Sequence, residues 1–446
     1  MRPHNFASSI NGATCWPHLP VALLTQATCR STGRVEHPDC LEAGRPGIAT
    51  GTRLAGSVSS PTEIFRSERL AIRYDARFAS DALVVTFMHW VGTPSLDSKG
   101  WLEDRLSALE LDAVHYISAG NDWFLSQDME DADGLVAPIA ARYREVVTAG
   151  TSMGAYQALR GASALRATKA IAIVPQFSID RAKVPFETRW HEEAAAISSF
   201  AADEMRPMPG CRYFVFYDPR QKDDARHVAL ISAALGGLEE IKITFGGHEV
   251  ADLLAETDLL WTAFREIIRG QFVAATFRRE LRLRRANSPT CLINAARSHV
   301  VSDRCREQLL AQAFELGGNR TSVLQSLAQA YAALQRWPEA ARSLSAASER
   351  RPDDPNIHFH IGYYRSMAGD LAGAAAALRR TVEISPGWFS AWETLAYVLS
   401  AIPDPTGALA AAEAALKLRH DIKLAELREL LLEHARDASA SGVSVG

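Results

Sequence analysis

The chain has 446 residues, 47% of them hydrophobic and 22% charged, with a net charge of −4. That length exceeds one ordinary core and predicts two domains, and the near-neutral balance excludes bulk attraction to nucleic acid as a main function. No stretch approaches the ~18 uninterrupted apolar residues of a membrane span, so a cytoplasmic chain that stays in water is expected.

The first 60 residues are rich in Ser, Thr, Gly and Pro and carry neither helical nor strand periodicity. They read as a disordered tail, and their short, interrupted apolar patch around Pro20–Leu24 makes a poor signal peptide. Ordered sequence begins near "LAIRY" and "ALVVTF", two strands, followed by helical spacing in "KGWLEDRLSALELD". Then come the strand "AVHYIS", the helix "DGLVAPIAARYR", the strand "EVVTAG", the helix "AYQALRGASAL" and the strand "KAIAIVP", with "CRYFVFY" and "IKITF" as late strands. Strands alternating with crossover helices predict a mostly parallel sheet covered on both faces, over residues 61–270. Ligands in such sheets sit beyond the carboxyl ends of the strands.

One such end reads "VVTAGTSMGAYQAL", a G-x-S-x-G pattern at Gly150, Ser152 and Gly154. A serine in a plain glycine turn and a serine nucleophile both account for the pentapeptide alone. Strand, "GTSMG", then helix resembles the nucleophile elbow of the α/β-hydrolase family. That resemblance implies an acid after a late strand and a histidine after the last one, in the order Ser, Asp, His. "FVFYDPRQKDDARHV" places Asp218 at a strand end, with Asp223 and Asp224 as alternatives in the same loop, and "IKITFGGHEV" places His248 after a glycine turn. Asp218 is favoured because the backbone is held best where the strand ends and Pro219 stiffens the next turn. The family's oxyanion hole implies the Met153 N–H and a second donor, Trp90 or Val91, from "MHWVGT", where Trp90 replaces a customary glycine. His89 beside them reads as a structural residue. Asn121, Asp122 and Trp123 in "SAGNDWF" are candidate pocket residues. The proline- and aromatic-rich segment "PQFSIDRAKVPFETRWHEE" reads as a cap in which Arg189, Trp190 and His191 face the substrate.

After residue 270 strands vanish and Ala and Leu rise. "FRRELRLRRANSP" reads as a solvated basic linker within residues 271–319, which also hold a degenerate repeat. A 34-residue register then aligns Leu327, Ile361 and Leu395; Ala328, Gly362 and Ala396; Ala340, Ala374 and Ala408; and Leu344, Leu378 and Ala412. This resembles the tetratricopeptide (TPR) family, and implies an all-α solenoid of three units over 320–421, a capping helix at 422–437 and a disordered tail at 438–446.

The combined expectation is an α/β-hydrolase-like domain followed by a TPR solenoid. It would be a serine esterase or deacylase acting on a polar acyl or glycan-linked substrate, with protein or peptide partners on the repeats. An acyltransferase and a noncatalytic hydrolase-like scaffold are the alternatives. No cofactor is expected. The six cysteines (Cys15, Cys29, Cys40, Cys211, Cys291, Cys305) are scattered without C-x-x-C spacing, which predicts reduced thiols and no metal site.

Overall fold

The computed structural model describes residues 61–440. The expected disordered tail at 1–60, with Cys15, Cys29 and Cys40, lies outside the described residues. The chain divides into two compact units, one ending at Asn294 and the other beginning at Ala295.

The first unit is built on an eight-stranded sheet: β1 (Thr62–Arg66), β2 (Leu70–Asp75), β3 (Ala82–Phe87), β4 (Asp112–Ser118), β5 (Glu145–Thr151), β6 (Lys169–Ile173), β7 (Arg212–Tyr217) and β8 (Glu239–Lys242). Their order across the sheet is β1-β2-β4-β3-β5-β6-β7-β8. β1 pairs antiparallel with β2 and β2 with β4, and all remaining pairs are parallel. β3 and β4 are buried along their whole length, which explains their continuous apolar runs: a parallel strand covered on both faces has no solvent side to mark with polar residues. β1, "TEIFR", leaves no such mark in the sequence, because it is a mostly exposed edge strand and carries no apolar run.

The crossovers are α1 (Glu103–Ala108), α2 (Asp128–Ala140), α3 (Met153–Arg160), α4 (His191–Ala196) and α5 (Lys222–Leu235), and α6 (Val250–Glu256) and α7 (Leu259–Ile268) follow the last strand. Helix α2 begins at Asp128, before the start at 133 that the spacing suggests, and buries Met129, Ala132, Val136 and Ala140. The last strand is shorter than "IKITF" implies. After Lys242 the Ile243 N–H still bonds the Tyr217 carbonyl at 2.8 Å. The chain then turns through Phe245 and Gly247, both at positive φ (67° and 65°), and delivers His248 to the carboxyl edge of the sheet.

This core does not stop at residue 270. The Phe272 ring packs against Phe214 at 5.7 Å and Phe277 against Phe216 at 5.8 Å. Helix α8 (Ala274–Arg284) buries Phe277 and Leu281 in the same apolar cluster as the sheet. The basic stretch is therefore not a solvated linker but an amphipathic helix that turns Arg278, Arg279 and Arg282 to solvent. Helix α9 (Pro289–Ala296) follows it.

The second unit is an all-α array of helix pairs. After α10 (Asp303–Gly317) come three helix pairs: α11 (Thr321–Ala333) with α12 (Trp337–Ser348), α13 (Pro355–Met367) with α14 (Leu371–Ile384), and α15 (Phe389–Ser400) with α16 (Pro405–Leu418). First helices start at 321, 355 and 389 and second helices at 337, 371 and 405, a strict 34-residue step. All twelve positions that set the register are buried. At Gly362 an added Cβ would lie 2.6 Å from Leu378 Cγ, so the small residue is what lets α13 and α14 approach. Asp354, Asp370 and Asp404 cap the helices that follow them through their side chains, each satisfying a free N–H of the first turn. The Pro-rich stretch "IPDPTG" of the third unit is thus a capped helix start. Helix α17 (Ile422–Ala440) closes the array with Leu424 and Leu431 buried. It runs through the first residues of the segment expected as a tail, and 441–446 lie outside the described residues. Among the described residues no helix is long and apolar enough to cross a membrane, and Cys211, Cys291 and Cys305 are free thiols.

Candidate active site

β5 passes into α3 through the single residue Ser152, whose backbone sits at φ 49° and ψ −118°. This positive φ is uncommon for a residue bearing a Cβ and stores strain. Two glycines make the turn feasible. A Cβ on Gly150 would lie 2.2 Å from the Gly154 carbonyl, and one on Gly154 would lie 2.3 Å from the Phe87 carbonyl oxygen. The Ser152 N–H is held by the Ile173 carbonyl at 2.9 Å, which leaves the side chain projecting over the carboxyl edge of the sheet.

Three side chains from three segments meet there. Ser152 Oγ is 3.2 Å from His248 Nε2, and His248 Nδ1 is 3.0 Å from Asp224 Oδ2. Asp224 is fully buried, whereas Ser152 retains 9% of its exposure.

The carboxylate at the histidine is thus Asp224, where the strand-end argument favours Asp218. Asp218 instead braces the turn that carries His248. Its Oδ2 accepts from the Gly247 N–H at 3.0 Å and its Oδ1 from the Arg220 N–H at 2.9 Å. The stretch after Asp218 is a loop only as far as Gln221; from Lys222 onward it is helix α5, and helical geometry separates neighbours. Asp224 faces inward with His227, Val228 and Ile231, while Asp223 stays outside with Arg226, 3.4 Å away.

Asp224 Oδ1 also accepts from Arg189 Nη1 at 2.8 Å. Burial opposes charge on Asp224 most strongly, yet His248 and Arg189 outweigh it and hold the carboxyl well below the ordinary range. Arg189 is itself clasped by Glu187, with Nη2 at 2.6 Å and Nε at 3.0 Å, and Glu187 Oε2 meets buried His227 Nε2 at 2.9 Å. Arg189, expected to face a substrate, is consequently committed to two carboxylates. Its neighbour Trp190 is the residue that lies by the histidine, with ring centroids 6.2 Å apart. Trp190 also packs against Trp123 at 5.2 Å and Trp90 at 6.2 Å. His191 opens α4 at the surface, with Nδ1 3.3 Å from the Thr188 carbonyl.

Met153, as the first residue of α3, has an N–H without an acceptor inside the helix. Of the two candidates for a second donor, Val91 is occupied: its N–H donates to Asn121 Oδ1 at 3.1 Å, and Asn121 Nδ2 donates back to the Val91 carbonyl at 2.8 Å. That reciprocal pair fixes the loop and gives Asn121 a structural role. The Trp90 N–H donates to no acceptor among the described residues, while its indole Nε1 donates to Glu193 at 2.8 Å. Burial pushes the His89 imidazole down to about 4, so the ring is neutral at neutral pH. Asp122 accepts from the Phe124 N–H and the Ser118 hydroxyl, and burial pushes its carboxyl up. Trp123, at positive φ (53°), is buried and donates its indole N–H to Gln176 Oε1 at 3.3 Å.

Gln176 is a site residue that the motif reasoning does not reach. It stands at the carboxyl end of β6, two residues past the apolar run, with Nε2 3.3 Å from Ser152 Oγ. A polar residue directly after "KAIAIVP" is the one signal of it in the sequence.

No family model matches the chain, and no curated protein matches it. Among solved structures, YrrB, a TPR protein with an unusual peptide-binding site, shares 18% identity over 41% of this chain and 90% of its own, at a TM-score of 0.30. MamA from Desulfovibrio magneticus RS-1 shares 15% over 36% and 94%, at 0.28. The capsule O-acetyltransferase of Neisseria meningitidis serogroup A shares 11% over 46% and 93%, at 0.36. Overlaps this partial assign the chain no activity.

Proposed function

We propose that the sheet unit is a serine hydrolase of the α/β-hydrolase type acting through an acyl-enzyme, and that the repeat unit recruits a protein or peptide partner. The observation that carries the reading is the continuous relay from a strained elbow serine through His248 to a buried carboxylate at 3.2 and 3.0 Å.

Each contact has a chemical role. As Ser152 Oγ attacks an ester carbonyl, its proton passes to His248 Nε2. The Asp224 carboxylate, accepting from Nδ1–H, fixes that tautomer and stabilises the imidazolium. The Met153 N–H at the helix start, with the Trp90 N–H, supports the developing oxyanion. His248 then returns the proton to the leaving alkoxide. Water, or another acceptor in an acyl transfer, repeats the sequence in reverse. Since Arg189 is neutralised by Glu187 and Asp224, its guanidinium is not free to meet an anionic substrate. Trp90 and Trp190 suit a neutral polar acyl or glycan-linked ester, whose apolar faces they can cover.

A fluorophosphonate probe tests the reading. Wild-type protein labels at Ser152, and Ser152→Ala and His248→Ala do not. A folded wild-type chain that fails to label, or labelling unchanged in Ser152→Ala, points instead to a noncatalytic scaffold.

A further inference from the structure

We propose that Gln176 is a further catalytic residue, whose side-chain amide holds and activates the Ser152 oxygen alongside His248; this rests on the hydrolase reading above. Trp123 decides which end of the amide faces the serine. The Trp123 indole can only donate, and it lies 3.3 Å from the Gln176 carbonyl oxygen. That end of the amide is therefore the acceptor. The nitrogen is left with two hydrogens and two oxygens in reach, the Val174 carbonyl and Ser152 Oγ, each at 3.3 Å. Gln176 is 0% exposed, and buried Trp123 is fixed in turn by its neighbours, so the amide has no alternative partners in water.

A hydroxyl has one hydrogen to give. With Oγ already accepting from Gln176 Nε2, its own hydrogen is directed to His248 Nε2, the geometry needed for proton transfer. During attack the Oγ–C bond forms while the Oγ proton moves to His248, and the donor at 3.3 Å opposes the negative charge that builds on Oγ. During deacylation the same oxygen is the leaving group. It departs from the acyl carbon as water adds, regains its proton from His248, and is again supported by Nε2. The interaction strengthens in both transition states, which is the requirement for an effect on kcat rather than on binding.

The experiment uses the full chain, with 4-nitrophenyl acetate turnover and the rate of fluorophosphonate labelling at Ser152 measured between about pH 6 and 9, a span centred on the working range of a histidine base. Gln176→Leu removes the donor, and kcat falls roughly 100-fold with KM changed by less than about threefold. Gln176→Glu keeps the shape and reports on chemistry even if the leucine variant folds poorly. As a carboxylate it presents only acceptors to Oγ. Once protonated it donates, so its activity relative to wild type rises as the pH falls. Wild-type kcat in folded Gln176→Leu, or a pH-independent ratio for Gln176→Glu, overturns the assignment while leaving the hydrolase reading intact. An inert wild-type chain overturns both.

Discussion

Replacing Asp224 by Asn separates the acid from its neighbours more sharply than any other change, because Arg189 dictates how the new amide must sit. Arg189 Nη1 can only donate, and it lies 2.8 Å from Asp224 Oδ1. In the variant the amide oxygen therefore stays on the guanidinium, and the NH2 group is turned toward His248 Nδ1, 3.0 Å away in the native chain. Nδ1 must then accept, the ring proton moves to Nε2, and the nitrogen facing Ser152 can no longer take a proton. Loss of the correct tautomer at an analogous serine site costs about 10⁴ in kcat, which is about 5.5 kcal/mol of transition-state stabilisation. Asp218→Asn retains an oxygen for one of its two backbone donors, Gly247 or Arg220. The loss of one such bond to a carboxylate is worth about 1.5–3 kcal/mol, so turnover falls roughly 10- to 100-fold, still well short of the loss at Asp224. Steady-state hydrolysis of 4-nitrophenyl acetate, with melting curves to confirm folding, measures both. A larger loss for Asp218→Asn than for Asp224→Asn refutes the assignment of the acid.

Ala at Gly150 or Gly154 forces a Cβ to within 2.2–2.3 Å of backbone atoms and lowers unfolding free energy by roughly 1–3 kcal/mol or more, read from the denaturant midpoint. Glu187 is pushed up by burial, but His227 and Arg189 outweigh this and hold it at about 2 instead of 4.5. Its contribution is therefore complete above about pH 4.5 and lost as the pH falls toward 2, roughly 3 kcal/mol in all; Glu187→Gln flattens the stability curve across that window. A chain of residues 61–294 melts cooperatively, whereas 61–270 aggregates. Removing Phe277 and Leu281 from the core uncovers apolar surface worth roughly 3–6 kcal/mol at about 1.5–3 kcal/mol per side chain.

The parallel strands are legible because their burial on both faces writes itself as unbroken apolar runs, and the repeat is legible because packed helix pairs place small and aliphatic residues at fixed intervals. Ser152 and His248 lie where the glycine patterns place them. Asp224 escapes a reading by strand ends for a physical reason: Asp224, Val228, Ile231 and Leu235 fall on one face of α5, so the acid belongs to the buried stripe of a helix and its partner is set by a rotation of about 100° per residue. A loop has no such faces, and reading that stretch as one removes the distinction between Asp223 and Asp224. The engagement of Val91 by Asn121 joins segments far apart in the chain, as does that of Arg189 by Asp224, and no local spacing records either. The basic stretch after 270 misleads because its charges outnumber the two apolar residues, Phe277 and Leu281, that anchor it.

Glu187, Arg189 and Trp190 lie within four consecutive positions, yet they serve separate ends: Arg189, clasped by Glu187, holds the Asp224 carboxyl down, and Trp190 packs beside His248. A single short stretch of backbone thus carries both the ring beside His248 and a partner of the buried carboxylate. The ring and the guanidinium occupy adjacent residues, so a segment-wide change there touches both the surroundings of His248 and the pairing of Asp224. If the proposed function holds, diversifying residues 187–190 as a block changes the surroundings of His248 and the pairing of Asp224 in the same stroke.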